Sequence, residues 1–553
     1  MKKILSKEKE RVYLHLNIVW FSLCFMIFLY APLELYFTNI NEFWYDFRLL
    51  FGEMFWLFLI AGVMGGIAIF LMVWLFPGLC HFLWGALFAG YIALYLQGNF
   101  FSKRLPNLDG TLVDWNDYRQ EKLVSIILWV GIFTVVFGVM LIFRKHVILI
   151  EKTMMTISLW VSGVLFVSVI SLGVLNNGFK NKLNLTVSTK NMLEMSEDTN
   201  FIIFVLDALS SEGWNEVAEE RPEYKQMLKD FTYYDNAMGG YSFTKHSIPF
   251  ILSGEWFENQ ESFENYSRNV YLHSSFFERL QSEGYKLGLY EDSVIIDSNG
   301  MKRFDNILEN KWGVNSWKTF VKWQTMLVGV RYAPYGLKKY SMIDANALIR
   351  MKIEPEEAGI YKWENKHIYK YLQGKKVSYT DQKCFKFIHV SGAHLPWKYD
   401  ENLNEIDESK GTYKQMVMAS MKLTEIYLRK LKENDVYDNS VIIIMADHGY
   451  CYKNPSDDLR REDPILFVKG IGEKHEFQCS DKPVSFADLQ GAYEKLLEGK
   501  LSNQIFDIDE NSQRIRRYLY YEYMKEDHMW EYIQSGHVRD TESFVMTGKE
   551  YIR

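Results

Sequence analysis

Long, uninterrupted apolar stretches fill the first third of the chain and then stop. Five of them run from about Val12 to Tyr36, Met54 to Phe76, Leu79 to Leu96, Leu123 to Phe143 and Met154 to Leu175. A helix crosses a bilayer with roughly 20 apolar residues, so the pattern predicts an all-α transmembrane domain of five helices over residues 1–175. One such stretch alone is compatible with a buried core helix; five in series are not. Pro77-Gly78 marks a tight turn between the second and third. From residue 176 to 199 the chain is polar and irregular, with Asn176-Asn177-Gly178 and Ser196-Glu197-Asp198-Thr199, and reads as a linker.

Residues 200–553 follow a different rule. Short apolar runs alternate with stretches of helical periodicity. Val441–Met445 reads as a strand buried on both faces and Phe201–Leu206 as another continuous apolar strand; Gly284–Tyr290, Phe385–Val390 and Pro464–Val468 read as further strands. Ser274–Glu283 and Tyr413–Lys432 read as helices. Strands alternating with helices predict an α/β domain with a mostly parallel sheet and helices on both faces.

Charge then orients the chain. Lys2, Lys3, Lys7, Lys9 and Arg11 precede the first stretch, and Arg144, Lys145 and Lys152 surround the turn between the fourth and fifth. Basic flanks mark the cytoplasmic side. An odd number of spans then places residues 176–553 outside the cytoplasm. The first stretch is too long for a signal peptide and lacks a small-residue cleavage pattern. Three of the five cysteines, Cys384, Cys451 and Cys479, fall outside the spans, with no regular spacing, so no disulfide framework is implied. A net charge of -7 argues against a nucleic-acid partner. A transporter would carry polar or charged residues within its spans, and the five stretches hold few. The loop 98–120, with Gln97-Gly98-Asn99 and Leu108-Asp109-Gly110, reads as a cap on helix ends or a headgroup-docking element.

Candidate chemistry lies at the carboxyl ends of the predicted strands, where α/β sheets carry their ligand sites. Asp447-His448-Gly449 follows the run 441–445, and Asp207 ends the run 201–206. Carboxylate and imidazole together suit a divalent metal; Asp207 could equally cap a helix. In Gly239-Gly240-Tyr241-Ser242-Phe243-Thr244-Lys245-His246-Ser247-Ile248-Pro249, glycines lead into hydroxyl residues and then an apolar run. This predicts a helix with Thr244 at its N-terminus and Pro249 in its first turn. Backbone N–H groups there favour an anion, and a nearby metal would activate the hydroxyl. Plain N-capping by Thr244 or Ser247 is the alternative. His389-Val390-Ser391-Gly392-Ala393-His394-Leu395-Pro396 places two imidazoles at a strand end. His394 is suited to proton transfer or phosphate contact, and His389 to either a substrate contact or a structural role. Lys245 and Arg461 are candidate cations for an anionic substrate.

These elements resemble the alkaline phosphatase and sulfatase superfamily. The likeness is to its membrane-anchored phosphotransferases: lipoteichoic acid synthases, polysaccharide phosphoglycerol transferases and lipid A phosphoethanolamine transferases. Four patterns carry it in order: a strand ending in Asp207, Thr-x-x-Ser-x-Pro at 244–249, His-x-x-Gly-x-His-x-Pro at 389–396, and Asp-His-Gly at 447–449. The resemblance implies Thr244 as a nucleophile that becomes phosphorylated and one divalent metal, Mn or Zn, held by Asp207, Thr244, Asp447 and His448. His394 would contact the phosphoryl group or a reacting hydroxyl. It further implies transfer of phosphoglycerol from a membrane phospholipid, phosphatidylglycerol, to a surface glycan or teichoic-acid-type acceptor. Phosphoethanolamine transfer, a sulfatase or phosphodiesterase hydrolysis, and a non-enzymatic membrane scaffold are the alternatives. Asp207 is followed by Ala208 where sulfatases have a second acid, and the sulfatase Cys-or-Ser-x-Pro-x-Arg pattern is absent, which lowers the hydrolase reading. Three outer cysteines are too few for the disulfides of the lipid A enzymes. The implied location is a bacterial cell membrane, with the catalytic domain outside.

Overall fold

The computed structural model describes residues 6–106, 108, 113–180, 185–291, 300, 302–309, 313–343, 351, 364–454, 457–523 and 525–553. Lys2, Lys3, Asp109-Gly110 and residues 181–184 of the predicted linker lie outside the described residues. The chain forms two compact units: residues 1–184 with 311–353, and residues 185–310 with 354–553.

In the first unit, five helices are long and apolar enough to cross a membrane: Lys7–Thr38, Phe47–Leu75, Pro77–Phe101, Trp115–Ile142 and Arg144–Leu175. The first is continuous through a π-turn at Met26–Tyr30. Their outward residues, such as Trp56, Ile67, Leu141 and Trp160, are apolar and exposed, the pattern a lipid surround stabilises. Residues 311–353 join this unit despite their place late in the chain. The insert helix Trp317–Tyr332 buries Phe320, Val321, Leu327, Val328 and Tyr332 in one core with Tyr30, Leu33, Tyr36 and Tyr45, the Tyr332 ring edge-on to Tyr30 and Phe320 edge-on to Tyr45. Polar contacts lock it. Arg331 Nη2 lies 2.7 Å from Glu34 Oε1, and Tyr332 donates to Glu34 Oε2 at 3.2 Å. Lys338 donates to Ser102 Oγ at 3.1 Å, and Tyr335 N to Ser125 Oγ at 3.0 Å. The Tyr332 ring sits where a side chain at Gly98 would be, 2.1 Å from a built Cβ. Gln97, Gly98 and Glu34, polar or small positions in otherwise apolar stretches, thus belong to the seat of the insert.

The second unit is built on a seven-stranded sheet. In chain order its strands are β1 (Asn200–Leu206), β2 (Thr232–Tyr234), β3 (Tyr285–Tyr290), β4 (Lys383–Val390), β5 (Ser440–Met445), β6 (Leu466–Lys469) and β7 (Gln478–Ser480). The spatial order is β7-β2-β6-β5-β1-β4-β3. The four strands β5, β1, β4 and β3 are mutually parallel, whereas β6 runs antiparallel to β5 and to β2. Alternate residues serve opposite faces. Phe201, Ile203 and Val205 enter one core with Val441, Ile443 and Met445; Ile202, Phe204 and Leu206 enter the other with Ile442 and Ile444. Helices flanking the sheet include α1 (Ser211–Glu220), α2 (Thr244–Ser253), α3 (Asn365–Gly374), α4 (Tyr413–Glu433) and α5 (Leu489–Leu497), together with Phe263–His273 and Ser275–Ser282, the latter where the sequence predicts a helix. α4 begins at a capping box between Thr412 and Gln415. A separate antiparallel sheet of three strands, β8 (Arg516–Tyr520), β9 (His528–Gln534) and β10 (Phe544–Ile552), closes the chain. No sequence pattern read above predicted it. Leu519 of β8 donates its N–H to Gly240 O at 2.9 Å, propping the glycine segment that leads to Thr244.

Candidate functional site

Register brings the site together. Leu206 stands beside Val390, Val205 beside Met445, and Tyr290 beside Ile388. The carboxyl ends of four adjacent parallel strands therefore deliver Asp447 and His448, then Asp207, then His389, then Glu291, side by side. Asp207, Asp447, His448, His389 and Glu291 are all at most 1% exposed.

Asp207, Asp447 and His448 each offer one ligand atom, all within 4.8 Å of one another. His448 Nε2 lies 3.5 Å from Asp207 Oδ1 and 3.6 Å from Asp447 Oδ2. The other ring nitrogen, Nδ1, is 2.7 Å from Gly449 O. Donation there assigns the proton to Nδ1 and leaves the Nε2 lone pair directed at the carboxylates. Asp207 Oδ1 and Asp447 Oδ2 are buried and accept no hydrogen bond. A buried carboxylate oxygen without a donor is costly, and a divalent cation between the two acids removes that cost. The donor set of two carboxylates, an imidazole and a hydroxyl suits a divalent metal, so the residues present fit one.

Thr244 is the first residue of α2, following Phe243, whose side chain provides no cap. Its Oγ1 donates to Asp207 Oδ2 at 3.3 Å and lies 3.5 Å from His448 Nε2. Ser247, the rival hydroxyl, turns instead to Tyr241 O at 3.4 Å. Pro249 lies in the second turn of α2 rather than the first, because the helix begins at Thr244 itself; its missing N–H removes the helical bond to Lys245 O.

Electrostatics follow from burial and these neighbours. Burial pushes the Asp207 carboxyl up, but His394, His389 and His448 outweigh it and hold the group below the usual carboxylate range. Burial and the Asp207 charge raise Asp447. Burial works against charge on His389, yet Glu291 and Asp207 on either side raise it well above the ordinary imidazole value. His389 Nε2 is 3.5 Å from Asp207 Oδ2, and Nδ1 is hydrogen-bonded to Glu291 Oε2. His389 thus lies beneath the cluster, bridging two acids, while His394 is partly open on the following loop.

That loop explains its own glycine. Gly392 has φ +49°, and a Cβ there would come within 2.4 Å of Asp207 N. Ala393 N donates to Asp207 O at 2.8 Å. Asn365 at the start of α3 brackets the turn, accepting from Gly392 N at 2.9 Å and donating to Gly392 O at 2.7 Å. Ala208 takes φ +57°, strained for a residue with a side chain, and donates its N–H to Asp447 Oδ1 at 3.3 Å.

Of the two candidate cations, Lys245 pairs with Glu526 at 2.5 Å and lies over the Phe263 ring. Arg461 pairs with Asp458 and lies 4.6 Å over the ring of Phe243, next to Thr244. Glu291 and Asn365 went unnoticed in the sequence. Glu291 had a usable signal: it directly follows a predicted strand, as Asp207 does. Asn365 had none. In a second group of acids and imidazole, Asp235, Asp481 and His537, both Asp235 oxygens are taken by the neighbouring Arg539 at 2.7 and 2.8 Å.

A family model described as Sulfatase matches residues 199–489. Solved structures that overlap the chain include a putative sulfatase, yidJ, from Bacteroides fragilis, at 13% identity and TM-score 0.35, covering 62% of this chain and 84% of that one. A protein in the alkaline phosphatase superfamily from Vibrio parahaemolyticus overlaps at 12% identity and TM-score 0.36, over 66% and 84%. The lipoteichoic acid synthase LtaP from Listeria monocytogenes overlaps at 13% identity and TM-score 0.35, over 66% and 88%. No curated protein matches. The matched stretch takes in Asp207, Thr244, Glu291, His389, His394, Asp447 and His448 and spans more than half of the 553 residues, and by it this chain belongs to the sulfatase family.

Proposed function

We propose that this protein transfers a phosphoglycerol group from phosphatidylglycerol in the membrane to a surface glycan or teichoic-acid-type acceptor, through a phospho-threonine at Thr244. The observation that carries the reading is the Thr244 hydroxyl, at a helix N-terminus, within 3.3 Å of Asp207 and 3.5 Å of His448. Asp207, Asp447, His448 and Thr244 would hold one divalent metal, Mn or Zn, which when bound lowers the hydroxyl pKa and stabilises charge on the transferring group.

The chain's own residues supply the rest. N–H groups of the first turn of α2 have no helical acceptor and point at the phosphoryl oxygens. Thr244 Oγ1, having lost its proton to solvent and reacting as the alkoxide, forms a bond to phosphorus as the bond to the diacylglycerol oxygen breaks, and His394 gives that oxygen its proton; Oγ1 is released again as the alkoxide in the second step. His394 then takes the proton of the acceptor hydroxyl, whose oxygen displaces Thr244 from phosphorus. His389 and Glu291 act from below, fixing Asp207 by charge. Arg461, over the ring of Phe243, and Lys245, next to Thr244, are the two candidate cations for an anionic group, and each also pairs with a carboxylate, Asp458 and Glu526 respectively. Five apolar spans would tether the catalytic unit, residues 185–310 with 354–553, to the membrane that holds a bilayer-bound donor. The basic flanks support a location of that domain outside the cytoplasm; of the stretch read as a linker, residues 185–199 belong to the second unit, with strands at Leu185–Val187 and Glu194–Ser196.

The test is diacylglycerol release from labelled phosphatidylglycerol against phosphatidylethanolamine, with mass spectrometry of the protein. The expected result is release from phosphatidylglycerol, a glycerophosphate-sized adduct on Thr244, and loss of both in Thr244→Ala with metal retained. Full activity in Thr244→Ala removes the nucleophile; release from phosphatidylethanolamine alone replaces the donor.

A further inference from the structure

The insert has a second face, and its composition sets it apart. Residues 313–343 contain five basic residues, Lys318, Lys322, Arg331, Lys338 and Lys339, and no acidic one, in a chain of net charge -7. Arg331 and Lys338 are used inward. Lys318, Lys322 and Lys339 are exposed, and among the described residues no carboxylate pairs with them. Next to them in the chain stand three exposed large apolar side chains: Trp317 at 40%, Leu337 at 53% and Tyr340 at 70%.

The level of this face along the spans follows from what the inward face touches. Tyr30 and Glu34 lie toward the end of the first span, Tyr45 just precedes the second, and Gly98 and Ser102 lie at the end of the third. All belong to the same end of the five-helix bundle. The first span has 32 residues, about 48 Å at 1.5 Å per residue. A hydrocarbon core of about 30 Å leaves about 9 Å of helix beyond it at each end. Glu34, the partner of Arg331, is four residues from Thr38, about 6 Å from that end. The insert therefore meets the spans at the depth of the lipid headgroups. Trp, Tyr and Lys are the side chains that suit this layer, with an apolar body toward the chains and a polar or charged tip toward the phosphates.

We infer that residues 317–340 form an interfacial element that binds anionic phospholipid, with Trp317, Leu337 and Tyr340 inserted among the chains and Lys318, Lys322 and Lys339 on the phosphates. This rests on the five helices being membrane spans and not on the transfer chemistry. Its role is to gather anionic lipid around the membrane unit.

The full chain is placed in nanodiscs of phosphatidylcholine with 30 mol % phosphatidylglycerol, in a Cys451→Ser, Cys479→Ser background. Leu337→Cys carries a bimane. Bromine is put on the chains of either lipid at matched mole fraction. The expected result is quenching by both lipids, at least twofold greater when phosphatidylglycerol carries the bromine. The excess disappears in Lys318→Gln, Lys322→Gln, Lys339→Gln. No quenching by either lipid overturns the insertion. Equal quenching in the unsubstituted chain, or an excess that survives the triple substitution, overturns the headgroup binding. None of these outcomes depends on transfer activity.

Discussion

Replacing Asp447 by Asn is expected to change stability in opposite directions with and without metal. Asp207 and Asp447 are buried and offer ligand oxygens within 4.8 Å of each other. Two unit charges at that separation repel by about 3.5 kcal/mol at an effective dielectric near 20. The imidazoles of His448 and His389 offset part of this. Asn is isosteric, keeps an oxygen for the Ala208 N–H, and turns an amide donor toward Asp207 Oδ1, which accepts no bond otherwise. The metal-free variant should gain about 1–3 kcal/mol, or a few degrees at about 1–3 °C per kcal/mol for a domain of this size. With metal at a hundred times its Kd, the parent gains about 2.7 kcal/mol, and the variant, lacking a ligand charge, should not. The assay is calorimetry of the full chain in detergent, dialysed against chelator and then supplied with Mn or Zn, alongside metal analysis. A variant that melts several degrees below the parent without metal, yet still rises with metal, would refute both the repulsion and the ligand assignment.

Gly392→Ala should lose activity and melt lower, since the left-handed φ costs about 1 kcal/mol for Ala and the new methyl meets the Asp207 backbone; Gly284→Ala, at φ +84° with open space around it, should cost only the conformational part. Glu291→Gln removes one of the two acids beside a buried imidazolium and should destabilise by about 3 kcal/mol. The double variant with His389→Gln should recover part of that in a thermodynamic cycle. Asp235 is pushed up by burial, but Arg539, Asn215 and Tyr233 hold it at about 2 against an ordinary 3.8. The folded pKa is the lower one, so this stabilisation is complete above pH 3.8 and is lost as pH falls through about 2. The difference corresponds to about 2.4 kcal/mol, reduced to about 1 by partial exposure to solvent. Arg539→Ala should accordingly flatten acid unfolding between pH 4 and 2, read by circular dichroism.

The sequence alone determined the two-part character of the chain and most of its parallel sheet. Buried strands in an α/β sheet must be apolar on both faces, so 201–206 and 441–445 announce themselves without any long-range information. The acids and imidazoles at their carboxyl ends are legible for the same reason, as chemistry placed where an apolar run stops. Adjacency was not legible. Which strand lies beside which is fixed by hydrogen bonding between segments hundreds of residues apart, and only the order β5-β1-β4-β3 places Asp447 beside Asp207 and His389 beside Glu291. Gly392 had no visible cause until the Asp207 backbone was found pressed against it. The insert was equally hidden. Residues 317–332 mix apolar and basic side chains without a clear helical stripe, and nothing local says that Tyr332 and Phe320 meet Tyr30 and Tyr45 rather than the α/β core. Local pattern records whether a residue will be buried; the partner that buries it is decided by the packing of the whole chain.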